Sequence, residues 1–284
     1  MIRWLARLRS IDRRWLYLAT AIALAIPFIV GGRIPMPPTE PFMVTRRLYE
    51  AIESCPPNKV VLIDSSWDMG SEAENCAQLE CVVRHLCRRR VRFVVVSVGV
   101  TQLGPEFAQR VIKKIAKEAG CTYGTDWVNL GFVQAGSDIK VVIENLCRDI
   151  HATRPIDVEE TPVAKLDLMR EVRSIRDVHL VLSITYSPTP DWISLVKGQF
   201  GTPVAFGCMT IMSPYYHTFI ESGQLCGMLI GNWGAAEYEG LTRQPGKGTE
   251  LIAFATYGNC MILAAILLGN LGLWAARRSR RQAG

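Results

Sequence analysis

The 284-residue chain has little of what enzymatic and metal chemistry most often uses. It carries four histidines, His85, His151, His179 and His217, and none belongs to an H-E-x-x-H pair. No two of its nine cysteines are spaced as C-x2-C, which argues against a structural zinc site. G-x-S-x-G, G-x-G-x-x-G and G-x4-G-K-[ST] are all missing, so neither a nucleophile elbow nor a phosphate-cradling loop is signalled. No catalytic residue, metal ligand or cofactor is therefore assigned. Internal repeats and low-complexity tracts are missing too.

What is present is a composition of 49% hydrophobic and 20% charged residues, enough for a packed core and too apolar for a disordered chain. The net charge of +6 is carried by the ends. Arg3, Arg7, Arg9, Arg13 and Arg14 precede the first apolar run, and Arg277, Arg278, Arg280 and Arg281 follow the last. Without those nine, 23 basic face 25 acidic residues between Arg33 and Glu250, a net of −2. Nucleic acid is a poor partner for so mildly acidic a middle.

The two basic ends flank uncharged runs of 18 residues (15–32) and 26 residues (251–276). A membrane-crossing helix needs roughly 20 apolar residues, so both runs read as spans in the lipid bilayer. Arginines on the terminal side of each place both termini in the cytoplasm and the central segment on the far side. A cleaved signal peptide is the rival for the first run, but its Ala-rich sites at 23–25 fall inside the apolar core. The expected organisation is a cytoplasmic basic stretch (1–14), a span (15–32), a Pro-rich stalk (33–44) and an extracytoplasmic domain (45–241). A linker (242–250), a second span (251–276) and a basic C-terminus (277–284) complete it. Eight of the cysteines then lie in an oxidising compartment, where disulfides are permitted but spacing cannot pair them.

Within 45–241 short apolar runs alternate with helical patterns. The strands are expected at 59–66, 91–99, 127–134, 179–187 and 202–210. They are near-continuous apolar runs, the pattern of strands covered on both faces. The fold class is α/β: a doubly wound, three-layer, mostly parallel five-stranded sheet of Rossmann or flavodoxin type. Ser137 is expected to cap the helix after the third strand, and an amphipathic helix is expected through Val163, Leu166, Met169 and Val172.

Ligands of open parallel sheets bind beyond the carboxyl ends of the strands. The residues delivered there are Asp64, Ser66 and Trp67 after the first strand, and Gln134 and Ser137 after the third. Tyr186 follows the fourth, and Thr210 and His217 follow the fifth. A small-ligand site is one reading; simple helix capping by Asp, Ser and Thr is the plainer one. Ser213, His217 and Asp64 also supply the residue types of a hydrolytic triad, although no spacing implies its geometry. The run Arg84, Arg88, Arg89, Arg90 and Arg92 complements a helix C-terminus, or else meets anionic lipid or an acidic partner.

Gly223, Gly227 and Gly231 recur every four residues, which would put them on one side of a helix. With Trp233 and Tyr238 at its margin, this Gly-rich helix is read either as packing on the domain's own sheet or as an interface for a neighbouring subunit. Small residues four apart in the spans, Ala19/Ala23, Ala21/Ala25 and Ala265/Gly269, and the amides Asn259 and Asn270, favour helix association in lipid or homo-oligomers. The layout of span, exported open-sheet domain and terminal span resembles auxiliary subunits of bacterial ABC transport systems of the gliding-motility type; it implies no site residues. The function expected is a non-catalytic membrane-anchored subunit of a larger complex, with an extracytoplasmic domain that binds a partner or small ligand. An envelope hydrolase and a solute receptor are the alternatives.

Overall fold

The structure, a computed structural model, describes residues 13–30, 40–99, 104–135, 138–187 and 189–281. The chain divides into two compact units, Pro38–Thr249 and Met1–Pro37 with Glu250–Gly284. In chain order the main elements are α1 (Arg13–Val30), α2 (Met43–Glu53), β1 (Val60–Ser66), α3 (Glu72–Arg89), β2 (Phe93–Gly99), α4 (Gly104–Ala119), β3 (Trp127–Gln134) and α5 (Ile139–Arg148). There follow β4 (Val178–Thr185), a π-helical turn (Trp192–Lys197), β5 (Val204–Cys208), α6 (Ser213–Glu221), β6 (Gly227–Ile230), α7 (Gly231–Thr242) and α8 (Lys247–Arg281).

The strands form one six-stranded, all-parallel sheet in the order β3-β2-β1-β4-β5-β6, consistent with a Rossmann-like α/β fold. The five expected strands are present, and β6 is a sixth where the sequence suggests a helix. β1 and β2 are buried along nearly their whole length, as strands covered on both faces must be. Residues alternate between the faces, so Val60, Leu62 and Asp64 point one way and Val61, Ile63 and Ser65 the other. α3 packs against α4 and α7, and α2 against β6 and α7; the π-helical turn packs against α5 and β5.

Local chemistry sets the helix ends. α3 has Glu72 and Glu74 in its first turn and Arg88 and Arg89 in its last, each sign matching the dipole. α5 is capped by Asp138, whose carboxylate accepts from the amides of Lys140 and Val141. Ser137, the expected cap, lies outside the described residues. The helix expected through Val163 and Val172 is replaced by a 3-10 turn at Val163–Lys165 and one helical turn at Asp167–Arg170. Leu166 between them is extended, and the Leu168 amide bonds to Gly124 O at 2.9 Å instead of to its own helix. Val163, Met169 and Val172 still reach the core, so burial was legible where the helix was not.

The Gly-rich segment is not one helix. Gly223 lies in a turn, Gly227 opens β6, and Gly231 starts α7 with φ +53°. Gly227 sits in β6 because α2 comes so close: a Cβ there would lie 2.6 Å from Leu48 N and 2.8 Å from Leu48 Cβ. Spacing by four imitated a helix face, but pairing with β5 satisfies the outer polar groups of that strand, which no helix would do.

Among the described residues one helical stretch, Lys247–Ala275 within α8, is long and apolar enough to cross a membrane. The apolar part of α1, Arg14–Ile26, is shorter than a span. At Gly258 of α8 a Cβ would lie 3.2 Å from Leu24 Cδ2 of α1, a close approach between these two helices. The Asn270 amide is satisfied within α8, donating to Ile266 O at 3.0 Å.

Candidate functional site

In the order found here the chain reverses direction between β1 and β4, where Rossmann-like folds open a crevice at the strand ends. Asp64 of β1 pairs with Ser183 of β4 at this point and is fully buried. Its Oδ2 accepts from Ser183 Oγ at 2.7 Å and from Trp192 Nε1 at 2.8 Å. Its Oδ1 accepts from Ser66 Oγ and from the Val98 amide at 3.2 Å. A carboxylate with both oxygens so engaged has none free to orient a histidine, and His217 is exposed on α6.

The protein's own side chains fill the surrounding space. Trp67, Trp192 and Tyr216 are fully buried; Trp67 donates to Ser65 Oγ at 2.7 Å and stacks on Phe107 with ring centroids 5.3 Å apart. Further along the edge, the buried amide of Gln78 donates to Cys208 O at 2.8 Å and lies near Leu229 O and Gly231 O, closing the ends of β5 and β6. Thr210 is exposed and its amide donates to Glu74 at 2.7 Å. Gln134 is exposed at the end of β3, Tyr186 is half-buried after β4, and Ser137 is not described. Asp64, Ser66, Ser183 and Trp192 thus form one network, whereas Trp67 bonds to Ser65 on the other face of β1 and Gln134, Thr210 and His217 do not join it.

Burial pushes the Asp64 carboxyl up to about 6 against the opposing hydrogen bonds from Ser66, Ser183, Val98 and Trp192. A raised folded-state value means that Asp64 contributes stability present below the usual carboxylate range and lost as the pH rises through about 6. The stability of the wild type relative to Asp64→Asn should therefore fall by about 3 kcal/mol between roughly pH 4 and pH 7. Urea unfolding at both pH values measures it, and a pH-independent difference would refute a buried, titrating Asp64.

α3 and α7 follow strands and return antiparallel to them, and α2 leads into β1, so the C-termini of all three lie where the strands begin, opposite the edge just described. There a cleft of about 440 Å³ is lined by Tyr49, Glu53, His85, Arg88, Arg89, Leu241, Thr242 and Arg243. His85 is buried, stacked on Tyr49 with ring centroids 4.9 Å apart. Burial lowers its pKa despite the neighbouring Glu53, which keeps the ring neutral. A neutral ring that donates from Nε2 to Glu53 Oε1 (2.9 Å) accepts at Nδ1 from the hydroxyl of Tyr238 (2.7 Å). Tyr238 is fully buried behind His85, and Trp233 is the partly exposed one, bonded to Glu237 at 2.9 Å.

Hydrogen bonding within the cleft leaves one guanidinium over. Burial raises the Glu53 pKa, but hydrogen bonds from His85 and Tyr49 and the charge of Arg89 outweigh it and hold the carboxyl below its ordinary value. Arg89 pairs with Glu53 at 3.1 Å, and Arg88 donates to Thr242 O at 2.6 Å, covering the end of α7. The remaining arginines of the run seen in the sequence are also engaged: Arg84 with Glu80, Arg90 with Gly120 O and Arg92 with Glu171. Arg243 is different. It ends α7 in left-handed backbone, φ 55°, is exposed, and has no partner among the described residues. By sequence, 242–250 reads as a linker, and nothing local marks Arg243 as lining a cleft with Arg88. No protein family, curated protein or solved structure matches the chain in comparison.

Proposed function

We propose that the chain is a membrane-anchored, non-catalytic subunit of a larger membrane complex whose α/β domain binds an acidic segment of a partner in the arginine-lined cleft. One observation carries the reading: the cleft presents Arg243 without a partner, beside Arg88, after Glu53 has been matched by Arg89. A carboxylate entering there would accept charge-assisted hydrogen bonds from a guanidinium that is otherwise solvated. The saturated Asp64 and the indoles packed around it support binding over chemistry at the strand ends. The apolar helix of α8, the uncharged run at 15–32 and the arginines outside both support two spans, cytoplasmic termini and an extracytoplasmic domain.

Purification of the full chain in mild detergent should yield a discrete complex with a stoichiometric companion. Arg243→Glu should remove that companion with little change in thermal stability, because the side chain is exposed and unpaired; the wild-type complex should weaken as salt is raised. A lone monomer, or a companion retained equally by Arg243→Glu, would defeat the proposal. Stabilisation by a small carboxylate in place of any companion would mark a solute receptor instead.

A further inference from the structure

Two cysteines that play no part in the cleft lie together at the ends of neighbouring helices. Cys87 is in the last turn of α3 and is buried; Cys121 follows Gly120, the residue after α4, and is partly exposed. Cys121 Sγ lies 4.0 Å from Cys87 O, and burial together with the neighbouring Cys121 pushes the Cys87 thiol well up. Arg90, the left-handed residue that ends α3, donates to Gly120 O at 3.0 Å and brings Nη1 to 3.9 Å from Cys121 Sγ. Cys121 is the sulfur that an external disulfide can reach, because Cys87 is buried. A disulfide needs its sulfurs brought to about 2.05 Å, and these two cysteines lie on helix ends that already pack together.

We propose that Cys87 and Cys121 are a dithiol pair that closes to a disulfide on exposure to a disulfide oxidant, with Cys121 the attacking and Cys87 the resolving sulfur. The Cys121 thiolate attacks one sulfur of oxidised glutathione, breaking its S–S bond; the departing glutathione thiolate takes up the proton that Cys121 released. Cys87 then attacks the Cys121 sulfur of the mixed disulfide and expels the second glutathione thiolate, which receives the Cys87 proton. The two cysteine thiols are oxidised and one glutathione disulfide is reduced to two glutathione thiols. The bond ties the C-terminal end of α3 to that of α4. It closes the 35 residues from Cys87 to Cys121.

The test uses the full chain in detergent, incubated with oxidised glutathione, denatured in the presence of a maleimide and mapped by mass spectrometry. The expected result is a linked Cys87–Cys121 peptide pair that dithiothreitol reverses. Constraining a segment of this length should raise the Tm of the oxidised protein by roughly 5 °C. Cys87→Ser should retain a glutathione adduct on Cys121, and Cys121→Ser should show neither adduct nor link at Cys87. Maleimide on both thiols of folded, glutathione-treated protein would overturn the proposal, as would a link joining either cysteine to a third. Because the reaction is run on purified protein, its failure would leave the cleft and the topology untouched. Conversely, loss of the companion in Arg243→Glu says nothing of the thiols.

Discussion

Gly227→Leu is expected to abolish cooperative folding of the α/β domain, and Gly227→Ala to destabilise it by roughly 2–4 kcal/mol. The cause is contact with backbone rather than with a movable side chain. A Cβ at Gly227 would meet Leu48 N at 2.6 Å and Leu48 Cα at 2.9 Å, so α2 as a whole would have to move off β6. Leu48 and Ile52 of α2 are themselves fully buried, and displacing the helix would expose them. Gly240 is the control on the opposite side of the argument. It lies inside α7, and a methyl group added there would find nothing within 4 Å, so Gly240→Ala should stabilise the protein by about 0.4–1 kcal/mol through helix propensity and a less flexible unfolded chain. Urea titrations followed by circular dichroism distinguish the two. Equal effects at both glycines would show that propensity, and not the approach of α2, governs Gly227.

Asp64→Ala is expected to cost roughly 3–5 kcal/mol at neutral pH. It strands the Ser183 hydroxyl and the Trp192 indole, whereas the Ser66 hydroxyl keeps Val98 O and the Val98 amide keeps Ser66 Oγ as acceptors. Neither can turn to water without opening the crevice between β1 and β4, because Ser183 and Trp192 are fully buried. Trp192→Phe should cost less than Asp64→Ala, since it removes one donor and leaves the acceptor with three. If Asp64→Ala were as stable as the wild type, the edge would be open enough for solvent to replace the carboxylate, and a ligand site there would regain its case.

The network around Asp64 also shows how far the sequence reaches. Asp64, Ser66 and Trp67 stand out in it because they lie at the end of β1 in a parallel sheet; Asp64 and Ser66 bond to each other, while Trp67 turns to Ser65 on the other face. What could not be read is that they turn inward: Ser183 and Trp192, which complete the arrangement, are 119 and 128 residues away. Likewise the arginine run was visible, yet its partners Glu53, Gly120, Glu171 and Thr242 come from four other parts of the chain. The cleft joins Tyr49, His85 and Thr242, for which no spacing rule exists.

Properties that depend on a residue and its near neighbours were legible from the one-dimensional chain. Among them are the apolar helix of α8, the parallel character of five strands, the partition of charge to the termini and the burial of Val163 and Met169. Each follows from hydrophobic periodicity or run length, which the solvent reads locally. Packing settled the rest: a strand at Gly227 where spacing suggested a helix, a strand-end edge filled by indoles, and an open cleft at the opposite edge. These outcomes depend on which distant groups fill the same space. Close packing and hydrogen-bond saturation are properties of the assembled core, and no window along the chain contains them.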